Sequence, residues 1–286
     1  MCEQTREIYH IPKVLYHWRA HENSTSENPE SKRYAFEAGK RAVQAHLDRL
    51  QIPARVEMGE YPGLYRVYYQ WKEQPLVSIL IPNKDHTEDL DKCIRSIEEQ
   101  SSYRNYEYII IENNSELPET FEYYKKLERE NEKVRVVHWE KEFNFAAINN
   151  FGAEFARGEY LLLLNNDTEM IGKDCLWELL GPCMREDVGI TGARLYYEDG
   201  TIQHAGVVIG FGGIAGHTFI GFDGKSNGYF SRIICAQNYS AVTAACMMTK
   251  KSVYQQVGGL TEELVVAFND IDYCMKVKKF GKLIVY

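Results

Sequence analysis

From residue 76 onward, apolar runs of strand length alternate with stretches in which apolar residues recur every three or four positions, so strands and helices are predicted in turn. Residues 76–81 form a buried-strand run that Pro82 stops. A helix follows, with Thr87 as its expected N-cap, Glu88 and Asp89 in its first turn, and Leu90, Cys93, Ile94 and Ile97 on one face. A second strand is expected over 106–111. Pro118 then opens a helix with Phe121, Tyr124 and Leu127 inward, a third strand covers 134–139, and a helix over 145–156 is stopped by Gly158 before a fourth strand at 160–164. This alternation predicts an α/β fold, a mostly parallel, doubly wound sheet with helices on both faces.

The second half is less regular. Strands are expected at 188–195 and 202–209, a long glycine-rich loop at 210–228, helices at 252–257 and 270–280, and a last strand at 283–286. Residues 1–72 read as a separate, small helical and extended segment preceding a domain at 73–286. Asn28-Pro29 signals a helix start, and Phe36, Val43, Leu47 and Leu50 share a helical face. Tyr61-Pro62-Gly63 marks a turn before an aromatic, β-prone run at 64–71.

With 44% hydrophobic and 26% charged residues, the composition is that of a globular protein with a sizeable core. A formal net charge of -8 argues against a nucleic-acid partner, which would be bound through clustered Lys and Arg. The seven cysteines are odd in number and contain no Cys-x-x-Cys pair, so neither a disulfide framework nor a zinc site is indicated. A reducing cytoplasm fits these features. No run approaches the ~18 apolar residues of a membrane span, so any membrane association is expected to be peripheral, at the inner face. The 20 tyrosines suit sugar and base contacts but equally suit packing with the hydroxyl at the surface.

Ligands of open parallel sheets bind at the carboxyl ends of the strands. The residues there are polar: Pro82-Asn83-Lys84-Asp85 after the first strand, Glu112-Asn113-Asn114-Ser115 after the second, and Asn165-Asn166-Asp167-Thr168 after the fourth. The first turn has no glycine, so the dinucleotide fingerprint is absent from it. Gly210, Gly212 and Ala215 match that fingerprint formally but lead into no helix, and Gly224-Lys225-Ser226 lacks the earlier glycine of a phosphate loop. The glycine-rich stretch is expected to be a flap, or equally a set of glycine-rich turns with no function, rather than a phosphate cradle. Asp167 suits a hard divalent cation joined to substrate phosphates, or a cap acting through Thr168. In Phe268-Asn269-Asp270-Ile271-Asp272 the two acids point about 200° apart on a helix. Asp270 is either a helix cap or a general base aimed at the sheet, and Asp272 a supporting or solvated group.

Together these residues resemble the family 2 glycosyltransferases, whose fold is the nucleotide-diphospho-sugar transferase A type, over about residues 76–286. Residues 77–83 resemble the opening strand and nucleotide-binding turn, and 111–115 the acidic turn that contacts base and ribose. Asn150-Phe151-Gly152, followed by residues 158–167, resembles the Asn-x-Gly helix leading into the Asp-x-Asp strand, with Asn165 in place of the first Asp. Residues 201–206, 242–247 and 268–274 resemble the rhamnosyltransferase-like enzymes that build bacterial surface polysaccharides.

The resemblance implies an inverting transfer from a UDP- or dTDP-sugar to a glycan or lipid-linked acceptor. Asp270 would be the base, Asp167 and Asn165 the ligands of Mn²⁺ or Mg²⁺, and Pro82, Asn83, Asp85, Glu112, Asn113, Asn150 and Asn166 the nucleotide site. Thr243, Ala244, Ala245, Cys246, His204 and Asp272 would form the donor and acceptor pocket. It also implies that residues 9–26 are the tail of a preceding transferase domain, so that the sequence is a piece of a tandem protein. A His that can complete the metal site would then lie beyond Tyr286. The neutral Asn165 keeps a second reading open, a non-catalytic module that binds nucleotide or glycan.

Overall fold

The expected strands and helices are present in the computed structural model, which describes residue 5, residues 7–17 and residues 33–286. The helix start at Asn28-Pro29, and most of the stretch likened to a preceding domain, lie outside the described residues. Two compact units are formed, Met1–Tyr68 and Tyr69–Tyr286. In the first, α1 (Arg33–Arg49) stands beside a two-stranded sheet of β1 (Ala54–Met58) and β2 (Tyr65–Tyr69). Leu47 of α1 is buried, while Leu50, expected on the same face, is exposed. The Gln44 amide holds helix to strand, donating to the Ala54 carbonyl and accepting from the Val56 N–H, each at 2.9 Å.

Residues 69–72, expected to go with the first segment, open the second unit. There the Trp71 Nε1–H donates to the Gly181 carbonyl at 2.8 Å, and the Trp177 Nε1–H to that of Tyr69 at 3.2 Å. The predicted alternation then appears as β3 (Val77–Asn83), α2 (Thr87–Gln100), β4 (Tyr106–Glu112), α3 (Pro118–Glu130), β5 (Val134–His138), α4 (Phe145–Phe155) and β6 (Tyr160–Leu164). After them come α5 (Cys175–Cys183), β7 (Val188–Gly192), β8 (Leu195–Tyr196), β9 (Ile202–His204), β10 (Val207–Ile209) and β11 (Ala215–His217). The chain continues through β12 (Cys246–Lys250), α6 (Lys251–Gln256), α7 (Asn269–Lys279) and β13 (Leu283–Val285).

Seven strands form the central sheet in the order β13-β7-β12-β6-β3-β4-β5. All pair in parallel except β12, which runs antiparallel between β6 and β7. Alternate side chains enter two cores. Leu80, Ile109, Leu161 and Leu163 meet α4, α6 and α7 on one face, and Ile79, Ile81, Leu162 and Leu164 meet α2, α3 and α5 on the other. Burying each such side chain contributes roughly 1.5–3 kcal/mol, so a sheet covered on both faces is the stable arrangement for runs with no polar face. Among the described residues no helix is long and apolar enough to cross a membrane, and the described cysteines are free.

Several local expectations are corrected. Thr87 is the first residue of α2 and not its cap; His86 precedes it without a side-chain cap. The strand expected over 202–209 breaks at Gly206, whose φ of +91° divides β9 from β10. The expected 210–228 loop contains β11, paired with β10. Gly158 does not end a helix either, since α4 closes at Ala156. Gly158 is needed for space: its N–H donates to Ser78 Oγ at 2.8 Å, and a Cβ there would lie 2.6 Å from the Leu76 carbonyl oxygen. Beside it, buried Glu107 accepts from Ser78 Oγ, the Arg157 N–H and the Arg157 Nε–H, each at 2.7 Å. Gly158→Ala is therefore expected to lower stability by about 1–3 kcal/mol through forced backbone movement. Denaturant unfolding would read this as a lower midpoint with unchanged slope.

Candidate active site

The three polar turns at the carboxyl ends of β3, β4 and β6 converge. Asn83 is their junction: its side-chain oxygen accepts from Asn166 Nδ2 at 2.7 Å, its amide donates to Tyr124 Oη at 2.8 Å, and its carbonyl accepts the Asn113 N–H at 2.9 Å. Pro82 lies half-buried one residue earlier in β3. Asp85, in the left-handed region at φ +57°, turns its carboxylate onto the start of α3. There it accepts from the Glu116 and Leu117 amides at 3.0 Å and from Thr120 Oγ1 at 3.1 Å. Desolvation opposes its charge, yet these hydrogen bonds prevail and hold the carboxyl below its ordinary value. Glu112 is buried and accepts the Asn114 and Ser115 amides, while buried Asn113 has a side-chain oxygen without a partner among the described residues.

Asn150 stands apart from this junction. Its oxygen accepts from Tyr254 Oη at 2.6 Å and from the Leu260 N–H at 2.9 Å, and its amide donates to the Leu260 carbonyl and to Glu262. All its hydrogen-bonding capacity serves to hold the segment before α7.

Asp167 is exposed, and among the described residues no group donates a hydrogen bond to it. The capping alternative is not realised, because Thr168 Oγ1 donates back to the Asn165 carbonyl at 2.7 Å. Among the described residues no three His, Cys, Asp or Glu side chains come together to hold a metal ion. A free carboxylate beside the Asn165 amide still fits a hard cation of the kind that keeps waters and takes its remaining ligands from substrate phosphates.

A cleft of about 410 Å³ lies next to Asn165, lined by Thr243, Ala244, Ala245, Asp270, His217 and the exposed 266–268 turn, among others. The Asn165 N–H donates to the Ala245 carbonyl at 3.0 Å, and Asp270 Oδ2 accepts the Ala244 N–H at 3.2 Å. Phe268 precedes α7 with φ +63°, a left-handed conformation costing a bulky residue about 1–2 kcal/mol. Asp270 occupies the second position of the helix: its Oδ1 accepts the first-turn Ile271 N–H at 2.8 Å, while its Oδ2 reaches across to the turn before β12.

Three expected pocket residues lie outside the lining. Asp272 points elsewhere, to Thr261 Oγ1 at 2.5 Å and Lys276 Nζ at 3.5 Å. Cys246 faces the opposite core, where burial pushes its thiol up to about 12. His204 is fully buried behind His217, with the two Nδ1 atoms 2.8 Å apart. His217 itself escaped the sequence reading. Its one local signal is a polar side chain at an alternate position of a short strand, next to Ala215.

The sheet order, the single antiparallel strand and a site at the ends of β3, β4 and β6 define a nucleotide-diphospho-sugar transferase fold of the A type. The mannosyltransferase PcManGT from Pyrobaculum calidifontis, solved in complex with GDP-Man and Mn²⁺, is similar at a TM-score of 0.57 and 13% identity, over 87% of this chain and 62% of that one. The chain belongs to Glycosyl transferase family 2, whose profile matches residues 78–258. It is 45% identical to the uncharacterised protein y4gI of Sinorhizobium fredii over 97% of this chain and 31% of that protein. It is 34% identical to the O-antigen biosynthesis protein RfbC of Myxococcus xanthus over 100% of this chain and 22% of that one. The chain thus spans less than a third of the length of these curated relatives.

The Asp85 geometry yields a test. A carboxyl with a lowered folded-state pKa contributes stability that is complete above its unfolded value and is lost as pH falls through the lowered value. Asp85→Asn is therefore expected to melt earlier than wild type above pH 3.8, the ordinary value, and the gap should close as pH falls further. Thermal melts across the acid range would show this.

Proposed function

We propose that the chain is the catalytic domain of an inverting glycosyltransferase, moving a sugar from a UDP- or dTDP-sugar to a glycan or lipid-linked acceptor in bacterial surface-polysaccharide synthesis. The observation that carries this reading is that Asp270 and Asn165 line one cleft, each hydrogen-bonded to the Ala244-Ala245 turn. An acceptor hydroxyl seated there would meet a base on one side and the departing nucleoside diphosphate on the other, the layout of a single displacement at the anomeric carbon.

Asp270 takes the hydroxyl proton. Asn83, Asp85, Glu112, Asn113 and Asn166 shape the nucleotide side of the site. A divalent cation held by Asp167, with the Asn165 amide beside it, supplies positive charge for the diphosphate when bound. The relative named for O-antigen biosynthesis supports the polysaccharide role, and the Mn²⁺ bound in the PcManGT complex supports the cation. On this reading the domain follows a further transferase domain in a longer protein, and the greater length of the curated relatives leaves room for one.

Nucleoside diphosphate release, measured with a panel of UDP- and dTDP-sugars with and without Mn²⁺, tests the proposal. Wild type is expected to turn over, Asp270→Asn to lose about 10²–10⁴-fold in rate, and Asp167→Asn to lose most of the metal-stimulated rate. Nucleotide binding without turnover by wild type would instead favour a non-catalytic binding module.

A further inference from the structure

His204 and His217 meet where the β10–β11 hairpin closes the cleft, and their protons can be assigned from hydrogen-bond logic. The Gly206 N–H points at His204 Nε2 at 3.3 Å. A backbone amide can only donate, so that nitrogen carries the lone pair and the His204 proton sits on Nδ1. His204 has no exposed surface, and burial lowers its pKa to about 3, which keeps it neutral. The Nδ1–H then donates to His217 Nδ1 at 2.8 Å, with the rings crossed at 78°.

His217 must therefore accept at Nδ1 and carry its own proton on Nε2. A charged His217 would set two N–H groups against each other. Burial also pushes the His217 pKa down, and the negative charge of Asp270 only partly offsets that. Thr218 Oγ1 holds the hairpin in place, donating to the Ala205 carbonyl at 2.7 Å. The His217 ring lines the same cleft as Asp270, and Nε2 is its one polar atom without a partner among the described residues.

We propose that buried His204 fixes His217 as a neutral Nε2–H donor, and that His217 gives this hydrogen bond to the acceptor hydroxyl oxygen whose proton goes to Asp270. The inference rests on the transferase reading above. That oxygen has one hydrogen and two lone pairs. The hydrogen goes to Asp270, one lone pair accepts from His217, and the other forms the new bond to the anomeric carbon. The old bond from that carbon to the phosphate oxygen breaks with its electron pair leaving on the diphosphate, and His217 exchanges no proton. His217 is a binding group for the acceptor, and His204 is a positioning residue.

Two measurements test this. In the first, His217→Phe is expected to lower kcat/KM for the acceptor roughly three- to tenfold, the worth of one hydrogen bond. Nucleotide affinity by calorimetry should stay as in wild type. His217→Gln, which keeps an N–H donor, should recover part of the loss. Weaker nucleotide binding by His217→Phe with unchanged acceptor kinetics would overturn the proposal.

The second is nitrogen-15 NMR of histidine-labelled wild type near neutral pH. His204 is expected as the neutral Nδ1–H form and His217 as the neutral Nε2–H form; a His217 imidazolium or Nδ1–H form would refute the pair. In His204→Phe the His217 tautomer should become mixed, and the acceptor KM should rise more than kcat falls. If that variant fails to fold, the wild-type spectrum and the Phe/Gln comparison at 217 still decide. Wild type that releases no diphosphate from any donor would sink the transferase reading, whereas the spectrum judges the tautomers independently of turnover.

Discussion

The pairing of Cys246 with Leu164, in the one antiparallel strand of the central sheet, is the constraint on which the site depends. It ends the β6–β12 ladder at Asn165 and Ala245, so the turn carrying Asp167 and the turn carrying Ala244 leave the sheet together. The Ala244 N–H then receives Asp270 Oδ2, which ties α7 to the same ladder end. A slip of one residue would exchange the two faces of β12. Cys246 would leave the core for the cleft, and the Asp270 contact would lose its donor. The buried Thr249 hydroxyl, bonded to the Gly189 carbonyl at 2.9 Å and to Tyr273 Oη at 2.6 Å, holds the register against that slip.

Much of this was legible in the sequence where local and long-range preferences agree. The strands β3, β4 and β6 carry apolar residues on both faces, broken only by Ser78, Asn83, Glu107 and Glu112, and Leu90, Cys93, Ile94 and Ile97 repeat at helical spacing on a face that is indeed buried. β12 was missed because Cys246-Met247-Met248 has no β-branched residue and no turn signal ahead of it. α5 was missed because Gly181 and Pro182 are poor helix formers; Pro182 lies inside the helix near its end, where it supplies no backbone N–H. The polar turns after the strands were legible as a group, while the direction of each side chain was not. Asp272 lies two residues from Asp270 and faces Thr261, and His204 lies behind a histidine thirteen residues away.

The site separates into groups that are spent and groups that are free. Asn83, Asp85 and Asn150 use their polar atoms to join turns and helices, which stiffens the cleft before any ligand arrives. Asp167 and the His217 Nε2 keep unused capacity, and Asp270 keeps an edge open to the cleft. Polar groups committed to one another lower the reorganisation needed when charge develops nearby. On the proposed reading, the single carboxylate in the Asn165-Asn166-Asp167 turn would leave the affinity for a cation dependent on the phosphates that arrive with it.

The β10–β11 hairpin combines a fastened base with an unencumbered tip. Its base is held by the His204–His217 contact and by Thr218, whereas a side chain added at Gly210, Gly212 or Gly213 would meet nothing within 4 Å, although each has a positive φ. Phe211, between the first two of those glycines, and Ile214, just after the last, stand exposed. The tip can therefore be exchanged for a sequence of different shape, provided its turn geometry is respected, without disturbing the wall that carries His217. Variation among homologues, or a designed change at the mouth of the cleft, has a place to occur in which the Asp270 side of the cleft is insulated from the part being altered.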